Sequence, residues 1–202
     1  MALTLIKEDG TGKVDANSYA DVADGDAYHD GHLYAAAWTG ASSGDKEKAL
    51  VFATRLIDAE CRFNGWKSHD LQALQWPRER CHDPDKGPPL SILLLPTFGT
   101  YVLSYIVPKA IIDATCEMAR ELLIADRTLP PPGEGLLQTR DANTTASADK
   151  NSGVSSSSSS SAMVKYSKPD TRPIITHVAQ AILLRYGSVV GNKSGTVRLV
   201  RT

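Results

Sequence analysis

The stretch Pro108-Lys-Ala-Ile-Ile-Asp-Ala-Thr-Cys-Glu-Met-Ala-Arg-Glu-Leu-Leu123 decides how the rest of the chain is read. Pro108 suits a first helical turn, where its missing N–H has no helical partner to lose. Ile111, Ile112, Thr115, Cys116, Met118, Ala119, Leu122 and Leu123 then recur at helical spacing. Apolar residues fall on both sides of this helix, which predicts a place at the centre of a bundle or at a subunit seam.

Working outward, Asn17-Ser18 ahead of a carboxylate-rich turn predicts a helix over about residues 19–37, weakened by Gly25 and Gly31. Ser42, Ser43 and Asp45 can cap a second helix that carries Leu50, Ala53, Leu56, Ile57 and Cys61 at helical spacing. Asn64-Gly65 suits its left-handed stop. Residues 71–76 read as short helix or irregular chain halted by Pro77, and residues 83–89 as loop.

Residues 90–107 approach the length of a membrane span, but Pro96 and Gly99 interrupt them. The two halves, 91–95 and 101–107, flank turn chemistry at Pro96-Thr97-Phe98-Gly99, so a β-hairpin is expected and no membrane insertion. After Pro130-Pro-Pro-Gly133, residues 141–161 collapse into Ala, Thr, Asn, Gly and a run of serines that cannot supply a core. Residues 173–186 predict a final helix, followed by two extended pieces around a Gly-Asn-Lys-Ser-Gly turn. The expected fold class is mainly α: a helical bundle over residues 1–140 with a hairpin inserted near 90–107, a flexible Ser-rich loop at 141–162, and a C-terminal helix and extended arm at 163–202.

With 202 residues, 42% hydrophobic and 22% charged, the chain is long enough for a real core and is neither disordered nor fibrous. Its net charge of -1 argues against a protein built mainly to neutralise phosphates. Residues 1–60 carry 5 Lys and Arg against 11 Asp and Glu, net -6, whereas residues 161–202 carry 7 against 1, net +6. An acidic front and a basic tail of this kind can attract one another between copies, dock within one chain, or meet an acidic partner. Cys61, Cys81 and Cys116 propose neither disulfides nor a zinc half-site, and Lys7, Glu8 and Asp9 interrupt any secretory leader. Synthesis in a cytosol is the resulting expectation.

No catalytic constellation emerges, so no enzyme and no cofactor are expected. His29 and His32 with Asp26 and Asp30 could in principle hold a metal, but their polar surroundings predict a solvated helix face. Cys81-His82 with His69 and Cys61 lacks zinc spacing, and residues 187–194 resemble a phosphate loop without the helix that one needs. Trp38, Trp66 and Trp76, with Tyr19, Tyr28 and Tyr34, could stack on single-stranded nucleic acid. That mechanism also needs a basic groove, and these aromatics fall in the acidic half, so packing in the core or an interface is expected of them.

Several stretches together resemble a family of tailed-phage proteins: Leu3-Thr-Leu-Ile-Lys-Glu-Asp-Gly-Thr-Gly, Asp15-Ala-Asn-Ser-Tyr-Ala-Asp-Val-Ala-Asp-Gly-Asp-Ala-Tyr, Ala36-Ala-Trp, Ala53-Thr-Arg-Leu-Ile-Asp, Gln75-Trp-Pro-Arg, and Val107-Pro-Lys-Ala-Ile-Ile-Asp-Ala-Thr-Cys-Glu-Met-Ala. The resemblance spans roughly residues 1–126. The family often carries the label DnaT-like single-stranded-DNA-binding protein and is similar in size and helical order to head-tail connector, or adaptor, proteins. The resemblance implies a virion neck subunit, made in the host cytoplasm and assembled as a dodecameric homo-oligomeric ring under the portal protein of a bacteriophage. Packaged DNA would pass through the ring without sequence-specific binding. The same resemblance implies a portal-binding arm at Lys193, Arg198, Leu199, Val200 and Arg201, while the hairpin, too rich in large apolar residues to stand alone in water, is expected to contact a neighbour or the downstream neck or tail-terminator protein with Thr97, Phe98 and Gly99 at its tip. The alternative is a replication-type single-stranded-DNA-binding protein, for which the charge distribution predicts weak binding.

Overall fold

Helix α1 (Val22–Asp30) begins at a capping box in which Asp21 accepts from the Asp24 backbone N–H while Asp24 accepts from that of Asp21. The computed structural model describes residues 3–86, 101–129, 136–139, 164–166 and 173–190. Ser18 is therefore not the cap; it is buried and its hydroxyl donates to the carbonyl of Ala20. The expected single helix over 19–37 divides at Gly31, and a short α2 (Ala36–Thr39) restarts the chain. Gly25 is needed where it stands, since a Cβ there would lie 2.2 Å from the Trp38 ring. α1 and α2 pack together through that contact.

Helix α3 (Ser43–Glu60) starts where the sequence places it, with Ser42 accepting from the Asp45 N–H. It stops earlier than expected, because Cys61–Phe63 leaves the helix as strand β1. Strands β2 (Trp66–Lys67) and β3 (Arg78–Glu79) pair antiparallel. Helix α4 (Lys109–Ile124) follows Pro108 and is the central helix of the core, packed against α1, α2, α3 and α5 (His177–Leu183). Ile111, Ala114, Cys116, Met118 and Ala119 are fully buried there against a core that includes Leu50, Ala53, Ile57, Ala179 and Leu183. Burying such side chains contributes about 1.5–3 kcal/mol for each large one.

α4 also buries charge that the apolar pattern does not announce. Arg120 donates to Glu117 and Glu121 at 2.7 Å each. Arg127 donates to the carbonyls of Pro173 and Ile174, fastening the segment that leads into α5. Strand β6 (Gly187–Val189) then pairs antiparallel with β1, Cys61 facing Val189 and Phe63 facing Gly187.

The expected mainly-α helical bundle is overturned: five helices, one of only four residues, accompany three two-stranded antiparallel sheets among the described residues, a mixed α/β architecture. The cause is visible in β1, where buried Cys61, exposed Arg62 and buried Phe63 alternate with the period of a strand. Cys61 also falls on the helical spacing of α3, which hides the change of period. Residues 101–107 form no strand beyond a single antiparallel bridge from Tyr101 to His82. The hairpin tip Thr97, Phe98 and Gly99 lies outside the described residues. Among the described residues no helix is long and apolar enough to cross a membrane.

By its contacts the chain divides into two units, one formed by Met1–Thr128 with Pro173–Thr202 and the other by Leu129–Arg172. In the second unit, β4 (Leu136–Thr139) pairs antiparallel with β5 (Val164–Tyr166), with an irregularity between Leu136 and Gln138. The two strands bracket the Ser-rich stretch in sequence.

Candidate nucleic-acid interface

The short chain between β1 and β2 bends at Asn64-Gly65 and links strands of two different sheets. Gly65 has φ +73°, and a Cβ there would meet the carbonyl oxygen of Glu79 at 2.0 Å, so both conformation and close approach demand glycine. Asn64-Gly65 is thus a turn between strands, four residues after α3 has ended. Arg78 braces it from beneath. Its guanidinium donates to the carbonyls of Asn64, Gly65 and Gln75 and to the Gln75 side chain at 2.6–3.0 Å. Burial lowers the Arg78 pKa, but those acceptors keep the cation in place.

On this brace Trp66 stands half exposed, at 50%. Its ring position is set twice. The indole Nε1–H donates to Glu79 Oε2 at 3.1 Å, and the Arg80 guanidinium lies over the ring 5.1 Å from its centroid. Arg80 adopts φ 53°, a left-handed backbone that is uncommon for arginine. Arg62 on β1 is also exposed, and among the described residues neither Arg62 nor Arg80 has an ion-pair partner. Residues 61–86 hold five Lys and Arg against four Asp and Glu, so Trp66 stands outside the acidic front. An exposed ring with a guanidinium on its face is the arrangement that stacks a single-stranded base and meets its phosphate, and Arg62 adds an exposed cation four residues before Trp66 in sequence.

Trp38, Trp76 and Tyr19 follow the expected packing, and Tyr34 does not. Trp38 and Trp76 are fully buried, as is Tyr19, so none of them can meet a base. Tyr34 is exposed and its ring lies near that of His32. The expected solvated face of α1 does not hold for His29. It is 2% exposed, lies beside the Trp38 ring, and its Nε2 bonds the Cys116 carbonyl. Burial lowers its pKa. No group of three or more metal-capable side chains forms among the described residues. Cys61, Cys81 and Cys116 are buried free thiols whose pKa values burial pushes up to about 12, 11 and 12, which leaves them protonated and poor nucleophiles.

Lys193, Arg198, Leu199, Val200 and Arg201 lie outside the described residues, as do Thr97, Phe98 and Gly99. The sequence reading passed over Arg62 and Arg80. The signal that could have found them is Arg62-Phe-Asn-Gly-Trp-Lys67, alternating residues around an Asn-Gly turn.

No curated protein and no solved structure matches the chain. The chain belongs to the family described as "Putative DnaT-like ssDNA binding protein", which matches residues 3–202, well past the span of roughly 1–126 on which the sequence resemblance rests.

Proposed function

We propose that this protein binds single-stranded DNA, stacking a base on Trp66 and contacting the backbone through Arg80 and Arg62. The observation that carries the reading is the half-exposed indole with a guanidinium over its face, in a chain whose family description names single-stranded DNA binding. The acidic front and the net charge of -1 keep the affinity modest. With two phosphate-contacting arginines the logarithm of the affinity falls against that of salt with a slope of about -1.4.

Titration with an oligothymidylate at low salt tests this. Binding quenches Trp66 emission, while buried Trp38 and Trp76 keep theirs. Replacing Trp66 with Ala weakens binding about tenfold, the loss of one stacked base. Unchanged affinity in Trp66→Ala, or no binding by the parent chain at low salt, would overturn the reading.

A second reading, a connector ring under a phage portal, is favoured by exposed apolar residues such as Leu33 and Tyr34, 85% and 74% accessible in the chain between α1 and α2. In that reading Lys193, Arg198, Leu199, Val200 and Arg201 meet the portal, and Thr97, Phe98 and Gly99 the next neck protein. The family description favours the first reading. Light scattering of the chain mixed with a portal protein at low and high salt tests the second, and free species at both salts would sink it.

A further inference from the structure

Three loops of the first unit are tied to one another by main-chain and side-chain contacts. Ala73 N–H donates to the Lys13 carbonyl at 3.0 Å, and the Ser68 hydroxyl donates to the Ser104 carbonyl at 2.8 Å. Gly12 sits so close to the His69 ring that a Cβ would lie 2.2 Å from it, and Gly10 is similarly pressed against the Tyr105 carbonyl. Glu8 stiffens the first loop from within, since its buried carboxylate accepts from the backbone N–H groups of Gly10, Gly12 and Lys13.

On this stiff support the loops leave apolar side chains in water: Val14 from the first, Leu71 from the second, and Leu103, Tyr105 and Ile106 from the third. Leu71 is 79% exposed, Val14 66% and Tyr105 64%. Exposed apolar residues scattered singly need no account, but five on three interlocked loops mark an interaction surface. Two of them have an acidic neighbour in sequence, Asp15 after Val14 and Asp70 before Leu71. Both carboxylates are exposed, and neither makes a hydrogen bond or ion pair among the described residues.

The complementary chemistry is present in the chain itself. Val197-Arg198-Leu199-Val200-Arg201 combines three apolar residues with two arginines, at the end of a segment carrying net +6. We propose that the three-loop surface receives residues 197–201 of a second copy of this chain, apolar side chains meeting Leu71, Val14 and Tyr105, and Arg198 and Arg201 meeting Asp15 and Asp70. Each copy carries both the acidic front, net -6, and the basic segment, net +6, so two copies offer one another complementary charge. Reach is ample: Val190 is held to Glu60 by its N–H, and the twelve residues that follow can span roughly 40 Å. The contact does not depend on DNA binding.

Sedimentation velocity of the full-length protein at low and at high salt tests it. The parent chain associates at low salt and dissociates at high salt, because exposed ion pairs are screened. The double variant Asp15→Lys with Asp70→Lys, and separately Arg198→Glu with Arg201→Glu, each weaken association about tenfold, since the exposed pairs are lost and like charges now face one another. Combining all four substitutions restores association. Asp15 and Asp70 are exposed, and circular dichroism of each variant checks that it is folded. A parent chain that stays monomeric at low salt, as docking within one chain would give, overturns the proposal. So does a fourfold variant that fails to regain association.

Discussion

The Tyr19 hydroxyl donates a 2.5 Å hydrogen bond to Oδ1 of Asp58, joining the chain ahead of α1 to the last turns of α3 inside the core. The other carboxylate oxygen of Asp58 accepts from the Gln75 N–H at 3.1 Å, and the Tyr19 oxygen accepts from Gln75 and Trp76. Burial raises the Asp58 carboxyl to about pH 6 against an ordinary 3.8, the hydrogen bonds only partly opposing it. Between those values the folded chain holds a proton that the unfolded chain has lost. This group's contribution is therefore fully present below about pH 4 and declines as pH rises through 6, by up to about 3 kcal/mol. Urea unfolding of the parent and of Asp58→Asn at pH 4, 5, 6 and 7 measures it. The difference between the two chains should change across that range and be flat above pH 7.

His29 works in the opposite direction. Its pKa is lowered by burial, so the unfolded chain takes up a proton first as pH falls below about 6.5, and the stability contributed by the neutral ring is lost. A His29→Gln chain should show less loss of stability than the parent between pH 7 and 5, read by the same denaturant titration.

Arg78 braces the Asn64 and Gly65 carbonyls between β1 and β2 and the Gln75 carbonyl beyond β2, so Arg78→Met leaves several acceptors unpaired at once. A loss of about 3 kcal/mol or more in unfolding free energy is expected, since hydrogen bonds from a charged group contribute about 1.5–3 kcal/mol each. An effect below about 1 kcal/mol would mean that water replaces the guanidinium and that the brace is not structural.

Gly65→Ala strains a positive φ and drives a Cβ into the Glu79 carbonyl. Calorimetry should show destabilisation of about 2 kcal/mol or more. Because the turn sets Trp66 against Arg80, the emission of Trp66 should shift as well.

Arg80→Gly separates strain from function. Glycine takes φ 53° without cost, so the variant should melt no lower than the parent. Its affinity for an oligothymidylate should nevertheless fall, and the salt slope should become shallower by about 0.7. An unchanged slope would remove Arg80 from the backbone contact.

The elements legible in the sequence are those whose hydrogen bonds are local. α4 follows from Pro108 and the recurrence of Ile111, Thr115, Met118 and Leu122, and the start of α3 from Ser42, because helix bonds and caps join residues three or four apart. The pairing of Cys61–Phe63 with Gly187–Val189 joins segments far apart in the chain, and only the closed core brings them together. For the same reason three tryptophans of similar local character part ways. Trp38 and Trp76 are enclosed by residues distant in sequence, whereas Trp66 stands on a turn braced by Arg78 and faces water. Local periodicity determined which segments become helices; which aromatic ring is left to meet a ligand was decided by long-range packing, since burial belongs to the whole fold and not to any segment of it.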